Sequence, residues 1–272
     1  MKPLPLYGLR LLLLGTFLGT WGLLARNAEL AFFIGHPWQV LERLWNWLAT
    51  GSGVLEVQWQ GQNLVVMHFP GTLYPHLLVT LAETLIALLI GVVTGLLAGF
   101  CLGLMPAVAH LLSPFIKAAN AIPRVVLAPL FLMWFGLGMP SKIALAVSLV
   151  FFAVFFNVYQ GVREVSPALL ANVRLLGASR WQLVRLVYLP SAAGWVFSSL
   201  NMVTGLALAG VVVGEYLGAS RGIGYLILQA EATFDVNAVM AGIVVLTFCA
   251  LCLDAVFARI ERRLQAWRNL DP

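Results

Sequence analysis

An all-α membrane protein of about six transmembrane helices, with a basic cytoplasmic loop between spans four and five, is the fold class this chain predicts. Three observations predict it. Of 272 residues, 61% are hydrophobic and 10% charged, and the mean hydropathy is +0.93, which leaves too little polar surface to cover a soluble globule of this size. The apolar residues fall in runs close to the ~20 residues that a helix needs to cross hydrocarbon. The basic residues gather in short segments between those runs, as the positive-inside rule requires. A net charge of +5 distributed in this way orients a chain in a bilayer and is not a footprint for nucleic acid.

Span one is read from Tyr7 to Ala25, running outward from the cytoplasm behind Lys2 and Arg10. Its apolar run is long for a signal peptide and no small-residue cleavage site follows Ala25, so it is expected to be retained, with Trp21 as an interfacial anchor. An external segment follows, residues 26–75. In it His36-Pro37 opens a stretch whose Trp38, Leu41, Leu44, Trp45 and Leu48 share a helical face opposite Glu42, Arg43 and Asn46, the pattern of a helix lying in the membrane interface. VLEVQWQGQNLVVMHF then has two β-prone arms around Gly61-Gln62-Asn63, which predicts a small hairpin. This segment reads either as a cap on the bundle or as a contact for an external substrate-delivery protein. Residues 1–72 are taken as one region and 73–268 as a helical core.

Span two runs from after Pro75 to about Leu104 and must tilt or protrude. Gly91, Gly95, Gly99 and Gly103 recur every fourth residue, so one stripe of this helix admits a neighbouring backbone. Span three, about Ser113 to Leu137, is interrupted by Pro123 and Pro129, each lacking a backbone donor. Irregular backbone at membrane depth survives where protein or a water-filled cavity satisfies it, and such breaks mark transport pathways. Arg124 stands beside the first break. It reads as a pathway residue, or as a side chain that snorkels or pairs to hold the bundle. Glu83, one third along span two, and Glu215, near the outer end of span five, are the remaining membrane carboxylates. Either could pair with Arg124 or line a polar gate, and Glu215 could instead be hydrated at the surface.

Span four runs from about Lys142 to Gly161 and leads into Ser166–Pro190, SPALLANVRLLGASRWQLVRLVYLP. Ser166-Pro167 reads as an N-cap with proline at the first helical position, giving a short helix up to Leu176-Gly177, and Ser179 restarts a helix. Leu169, Leu170, Val173 and Leu176 form an apolar face. Arg163, Arg174, Arg180 and Arg185 surround it against one acid, Glu164, so the loop is cytoplasmic. An apolar knob ringed by arginines suits a groove on a cytosolic partner, and equally a solvated connecting loop. Span five, about Ala192 to Glu215, carries Gly205, Gly210 and Gly214 on a thin helix. Span six, about Ala238 to Phe257, ends in the basic tail ARIERRLQAWR. Of sixteen basic residues, Lys2, Arg10, Lys117, the four of the loop and Arg259, Arg262, Arg263 and Arg268 fall inside; Arg26, Arg43, Lys142 and Arg221 fall outside; Arg124 lies within the membrane. Both termini are therefore expected in the cytoplasm.

Gly177 and the following Val187-Tyr188-Leu189-Pro190 resemble the glycine and I-x-L-P parts of the EAA loop of ABC importer permeases. LGASRWQL and VVVGEYLGASRGIGYLI resemble the branch that imports nitrate, sulfonates, taurine, bicarbonate or thiamine precursors. The resemblance runs from about Leu73 to Trp267, with one departure: Ala171-Asn172-Val173 stands where that family usually has Glu-Ala-Ala. It implies a type I ABC importer architecture in a bacterial inner membrane, with a second permease copy, two cytosolic ATPase subunits binding ATP and Mg, and a periplasmic or lipid-anchored substrate-binding protein. It implies that Leu169, Leu170, Ala171, Val173, Leu176, Gly177, Ala178, Arg180, Leu189 and Pro190 form the ATPase-coupling loop, and that GASRGIGYLILQAEATFDVN holds a short reentrant or interfacial helix. A small anion is the implied solute, and a thiamine-precursor pyrimidine the alternative.

Several chemistries are excluded. None of Lys2, Lys117 and Lys142 follows a glycine, so the chain has no phosphate loop of the Gly-Lys-Ser/Thr type and is no enzyme of that kind. No H-E-x-x-H or G-x-S-x-G motif appears in the predicted spans. Cys101, Cys249 and Cys252 all lie in apolar spans, and Cys249-Ala-Leu-Cys252 reads as packing rather than as a redox or metal motif. A secondary transporter acting alone and a membrane scaffold are the rival classes.

Overall fold

The computed structural model describes residues 3–59 and 62–265. In order they form α1 (Pro3–Leu24), α2 (Ala28–Ile34), α3 (Pro37–Ala49), β1 (Gly53–Trp59), β2 (Gln62–Phe69), α4 (Leu73–Leu104), α5 (Pro106–Ala121) and α6 (Ala128–Phe135). There follow α7 (Met139–Arg163), α8 (Pro167–Leu175), α9 (Arg180–Leu183), α10 (Leu189–Gly218), α11 (Ile223–Ala232) and α12 (Val236–Gln265). Four helices are long and apolar enough to cross a membrane, and up to six spans result if each bent helix pair counts as one.

Two compact units emerge, and they do not follow the division at residue 72. The first joins Met1–Val79 to Arg221–Thr247; the second comprises Thr80–Ser220 and Phe248–Pro272. The reason lies in polar contacts that a linear reading does not see. Asn237, at the start of α12, accepts the His36 backbone N–H through Oδ1 at 2.8 Å and donates to Gln39 Oε1 at 2.8 Å. Arg43 of α3 pairs with Asp235. In this unit β1 and β2 pair antiparallel with a bulge between Val57 and Gln58. Gly61, at the tip of the expected hairpin, lies outside the described residues, as do Lys2 and Arg268. Trp38, Leu41 and Trp45 project outward from α3, while Val40 of the same helix is buried. The short helix α2 is an element that sequence reading missed; Asn27 caps it by accepting from the Glu29 N–H at 3.0 Å. The Trp21 indole N–H donates to the Ile34 carbonyl at 3.1 Å, so this ring is tied to α2.

The second unit is organised by the glycine stripe of α4. Val150, Val154, Val158 and Val162 recur every fourth residue on α7, and each packs opposite Gly91, Gly95, Gly99 or Gly103 in turn. Both stripes follow the i, i+4 row of a helix, so β-branched knobs enter a groove of bare backbone. Leu88 of α4 and Ala192, Val203 and Ala207 of α10 complete this core. A methyl group at Gly99 would lie 2.6 Å from the Phe155 carbonyl oxygen and 3.0 Å from Val158 Cβ, whereas nothing stands within 4 Å of one at Gly205. Backbone, not a flexible side-chain tip, would have to yield. Gly99→Leu is expected to destabilise the chain by about 3 kcal/mol or more, and Gly205→Leu to leave the melting temperature in detergent within a few degrees of the parent. Equal melting of the two variants would contradict this packing.

Three expectations within this unit are corrected. Span three begins at Pro106 rather than Ser113, because Met105 interrupts the helical run and Pro106 opens a new helix. It has one break rather than two. The chain leaves α5 at Ile122-Pro123, makes a 3-10 turn over Arg124–Leu127 and enters α6, and the pieces are bent by 80°. Pro129 sits in the first turn of α6, where a missing N–H leaves nothing unpaired. Span five is longer than expected. α9 runs through a π turn, Val184–Tyr188, straight into α10, with the Leu189 N–H reaching back five residues to the Val184 carbonyl. Pro190 supplies no donor and its ring would crowd the carbonyl four residues back; a widened turn just before it relieves both problems without ending the helix.

Candidate functional site

Helix α4 places Thr80, Glu83 and Thr84 on one face, at spacings of three and four residues. All three are buried, as are Ser141 and Lys142 in the first turn of α7 and Glu215 near the end of α10. Glu83 and Lys142 form an ion pair whose side chains are 1% and 5% exposed. The Thr80 hydroxyl donates to Glu215 Oε1 at 2.7 Å, and the Thr84 hydroxyl to the Thr80 carbonyl at 2.7 Å. Gly214 lets α10 close on α7: a methyl there would lie 2.9 Å from Lys142 Cγ. One polar cluster thus joins α4, α7 and α10 inside the apolar packing, and Glu83 Oε2 is buried in it with no hydrogen-bond donor.

This arrangement corrects the roles open to the two carboxylates. Neither is the partner of Arg124, and Glu215 is fully buried rather than hydrated at the surface. Lys142, counted from sequence among the external charges, lies inside the bundle. The signal that could have found it is a lone lysine at the head of an apolar span, which must meet an acid from another span or a polar cavity.

Arg124 stands at the α5–α6 break behind Pro123. Its Nη2 donates to the Asn120 carbonyl at 3.3 Å and to the Asn120 carboxamide oxygen, and its guanidinium lies 4.4 Å over the Phe152 ring. Its Nε is buried without an acceptor. Gly95 of α4 abuts Phe151, next to Phe152.

The α8–α9 elbow has a different character. Leu169, Leu175 and Leu176 are 47%, 85% and 86% exposed, while Leu170, Val173 and Ala178 are half-buried. Leu175 was not among the expected apolar residues; it is the last residue of α8, two positions before a left-handed turn. Gly177, φ +81°, makes that turn, with its N–H on the Arg174 carbonyl at 3.0 Å and the Ala178 N–H on the Val173 carbonyl at 3.3 Å. Ser179 then caps α9 in a reciprocal box with Gln182, at 2.7 and 3.3 Å. Ala171, Arg163, Arg174, Arg180 and Arg185 are exposed around the knob. Leu189 and Pro190 lie beyond the π turn, at the start of α10, so they belong to the following helix and not to the elbow.

Residues 65–266 match the model of the binding-protein-dependent transport system inner membrane component family. The chain belongs to that family. Over 87% of its length this permease is 30% identical to the taurine transport system permease protein of Escherichia coli (strain K12), covering 81% of that protein. It is 37% identical over 72% of its length to the riboflavin transport system permease protein of Chloroflexus aurantiacus, covering 74% of that protein. In fold it is similar to a chain of the MetNI methionine ABC transporter in an inward-facing conformation, with TM-score 0.62 at 20% identity over 70% of this chain and 95% of that one. It is the membrane subunit of an ABC importer, an inner membrane component that works with ATPase and substrate-binding partners, and ATP hydrolysis belongs to the ATPase subunits.

Proposed function

We propose that two copies of this permease enclose the pathway for a small anion, and that two cytosolic ATPase subunits, which bind ATP and Mg, grip each elbow at Leu169, Leu175 and Leu176. The observation that carries this reading is the exposed leucine knob at the end of α8, set by Gly177 and ringed by arginines. Three outward leucines are poorly placed in bulk water, and the basic rim keeps them from sinking into hydrocarbon, so a groove on an aqueous partner is their natural complement. In this reading the elbow and both termini are cytoplasmic, and a substrate-binding protein delivers from the other side. ATP-driven closure displaces α8, and α9 transmits that displacement into α10 through the unbroken π turn, which supplies the differential contacts that a two-state pathway needs. Arg124, a cation beside a helix break, supports a negatively charged solute of sulfonate, taurine, nitrate or bicarbonate type.

Co-expression with a cognate ATPase subunit of the same importer is expected to yield a complex that survives purification. A cysteine placed at Ala171 is expected to react with a membrane-impermeant maleimide only when the cytoplasmic face is opened. Labelling of intact cells at that position would overturn the orientation, and failure of the ATPase to copurify would overturn the elbow's role.

A further inference from the structure

Helix α3 is fastened to the heads of two other helices. The His36 N–H, just before α3, donates to Asn237 Oδ1 at 2.8 Å, and Arg43 pairs with Asp235, so its first half sits on the start of α12. Its last turn meets the chain that enters α4: a methyl at Gly71 would stand 2.5 Å from the Trp47 carbonyl oxygen and closer still to that of Leu48. Both α4 and α12 are long and apolar enough to cross a membrane. With 13 residues α3 is about 20 Å long. Strung between the heads of two spans, it lies along the membrane face at which they begin. Around its axis α3 has three sectors, roughly 120° apart on a helix of about 3.6 residues per turn. Val40 is buried, and Leu44 and Trp47 beside it are half-buried. Gln39, Glu42, Arg43 and Asn46 line a polar hollow of about 290 Å³ together with Asn237. Trp38, Leu41, Trp45 and Leu48 are exposed, with no charge among them. A surface helix needs one apolar stripe to hold it to its own chain, and Val40, Leu44 and Trp47 supply it. The second stripe has no partner within α3's own packing.

We infer that α3 is seated in the bilayer surface, with Trp38, Leu41, Trp45 and Leu48 among the phospholipid head groups and upper acyl chains and the polar hollow open to water. The position at the heads of α4 and α12 makes lipid the neighbour that is always present. Indole rings suit this depth, because each has a large apolar body and one N–H that can reach a head group or water. Three sectors let one helix touch its own chain, water and lipid at once, whereas a helix between protein and water needs only two. A soluble partner that binds for part of the time would leave two tryptophans and two leucines in water between visits. Neither the identity of the solute nor the grip of the ATPase enters this assignment.

The test is spin-label accessibility in the full chain, reconstituted into nanodiscs of phosphatidylethanolamine and phosphatidylglycerol. Cys101 and Cys252 are exposed and are replaced by alanine, while Cys249 is buried and stays. Single cysteines for the label are then introduced by Leu41→Cys, Trp45→Cys, Gln39→Cys and Asn46→Cys, and each variant is first checked for parental melting temperature. Labels at positions 41 and 45 are expected to collide more often with molecular oxygen, which concentrates in lipid, than with a water-soluble nickel chelate. Labels at positions 39 and 46 are expected to show the reverse order. A label at position 41 or 45 that meets the nickel chelate as freely as the label at position 46 would overturn the inference. So would protection of positions 41 and 45 that appears only when a substrate-binding protein is added, because the stripe would then be a protein dock. Dipolar broadening between labels at position 41 would overturn it as well, since a second copy of this chain would then cover the stripe.

Discussion

Lys142→Met is expected to destabilise the α4–α7–α10 bundle by about 3–5 kcal/mol, because it strands the Glu83 carboxylate in a site from which water is excluded. Glu83 is 1% exposed and one of its oxygens already lacks a donor, so loss of the ammonium leaves the charge with no compensation nearby on α7. Glu83→Gln with Lys142→Met should recover most of the loss, since a neutral amide is far cheaper to bury than an unpaired charge. Thermal melting of the detergent-solubilised parent, the two single variants and the double variant forms a cycle that isolates the pair. A single Lys142→Met change within about 0.5 kcal/mol of the parent would show that this lysine is hydrated, as an exposed surface pair would be. The coupling also has a functional side. Thr80 links the same helix face to Glu215 on α10, so α4, α7 and α10 are tied through side chains that only tertiary packing brings together.

Leu175→Glu with Leu176→Glu is expected to abolish ATP-dependent uptake while leaving the melting temperature unchanged. At 85% and 86% exposure the two leucines contribute little to this chain's own packing, so the change falls on the proposed partner interface. A buried apolar anchor at an interface is typically worth about 2 kcal/mol or more, which corresponds to at least ~30-fold weaker ATPase binding. Copurification of the ATPase should fall in parallel. Wild-type uptake in the double variant would rule out the elbow as the point of grip. Arg180→Gln is a milder companion: a rim charge chiefly alters association rate and salt dependence, so its complex should form more slowly at low salt but persist.

Much of the fold is visible in local patterns. The apolar runs, the four-residue glycine repeat of Gly91 to Gly103 and the Ser166-Pro167 and Ser179 helix starts each depend on residues within a turn or two of one another, and the structure has helices at each. The break at Pro123 was legible for the same reason, since a proline acts on its immediate backbone. Pro190 misled in the opposite direction: a helix can absorb a proline by widening to a π turn, and whether it does so depends on what the neighbouring helix holds in place. The candidate site was legible in part. Arg124, Glu83 and Glu215 stood out as charges in apolar surroundings, yet their partners did not, and Leu175 was passed over because a strict helical repeat takes no account of where the helix stops.

From its residues alone this chain determined which stretches enter the membrane, which face of the elbow is basic and apolar, and that no phosphate-binding loop accompanies them, because hydropathy, helix capping and motif spacing are short-range properties. Tertiary structure alone decided that Glu83 meets Lys142, that Thr80 meets Glu215, and that Arg124 rests on Phe152. Those pairings join residues far apart in the chain. Their geometry follows from the rotation and register at which whole helices pack, and close approach along bare glycine backbone is what brings charges on separate helices within reach of one another.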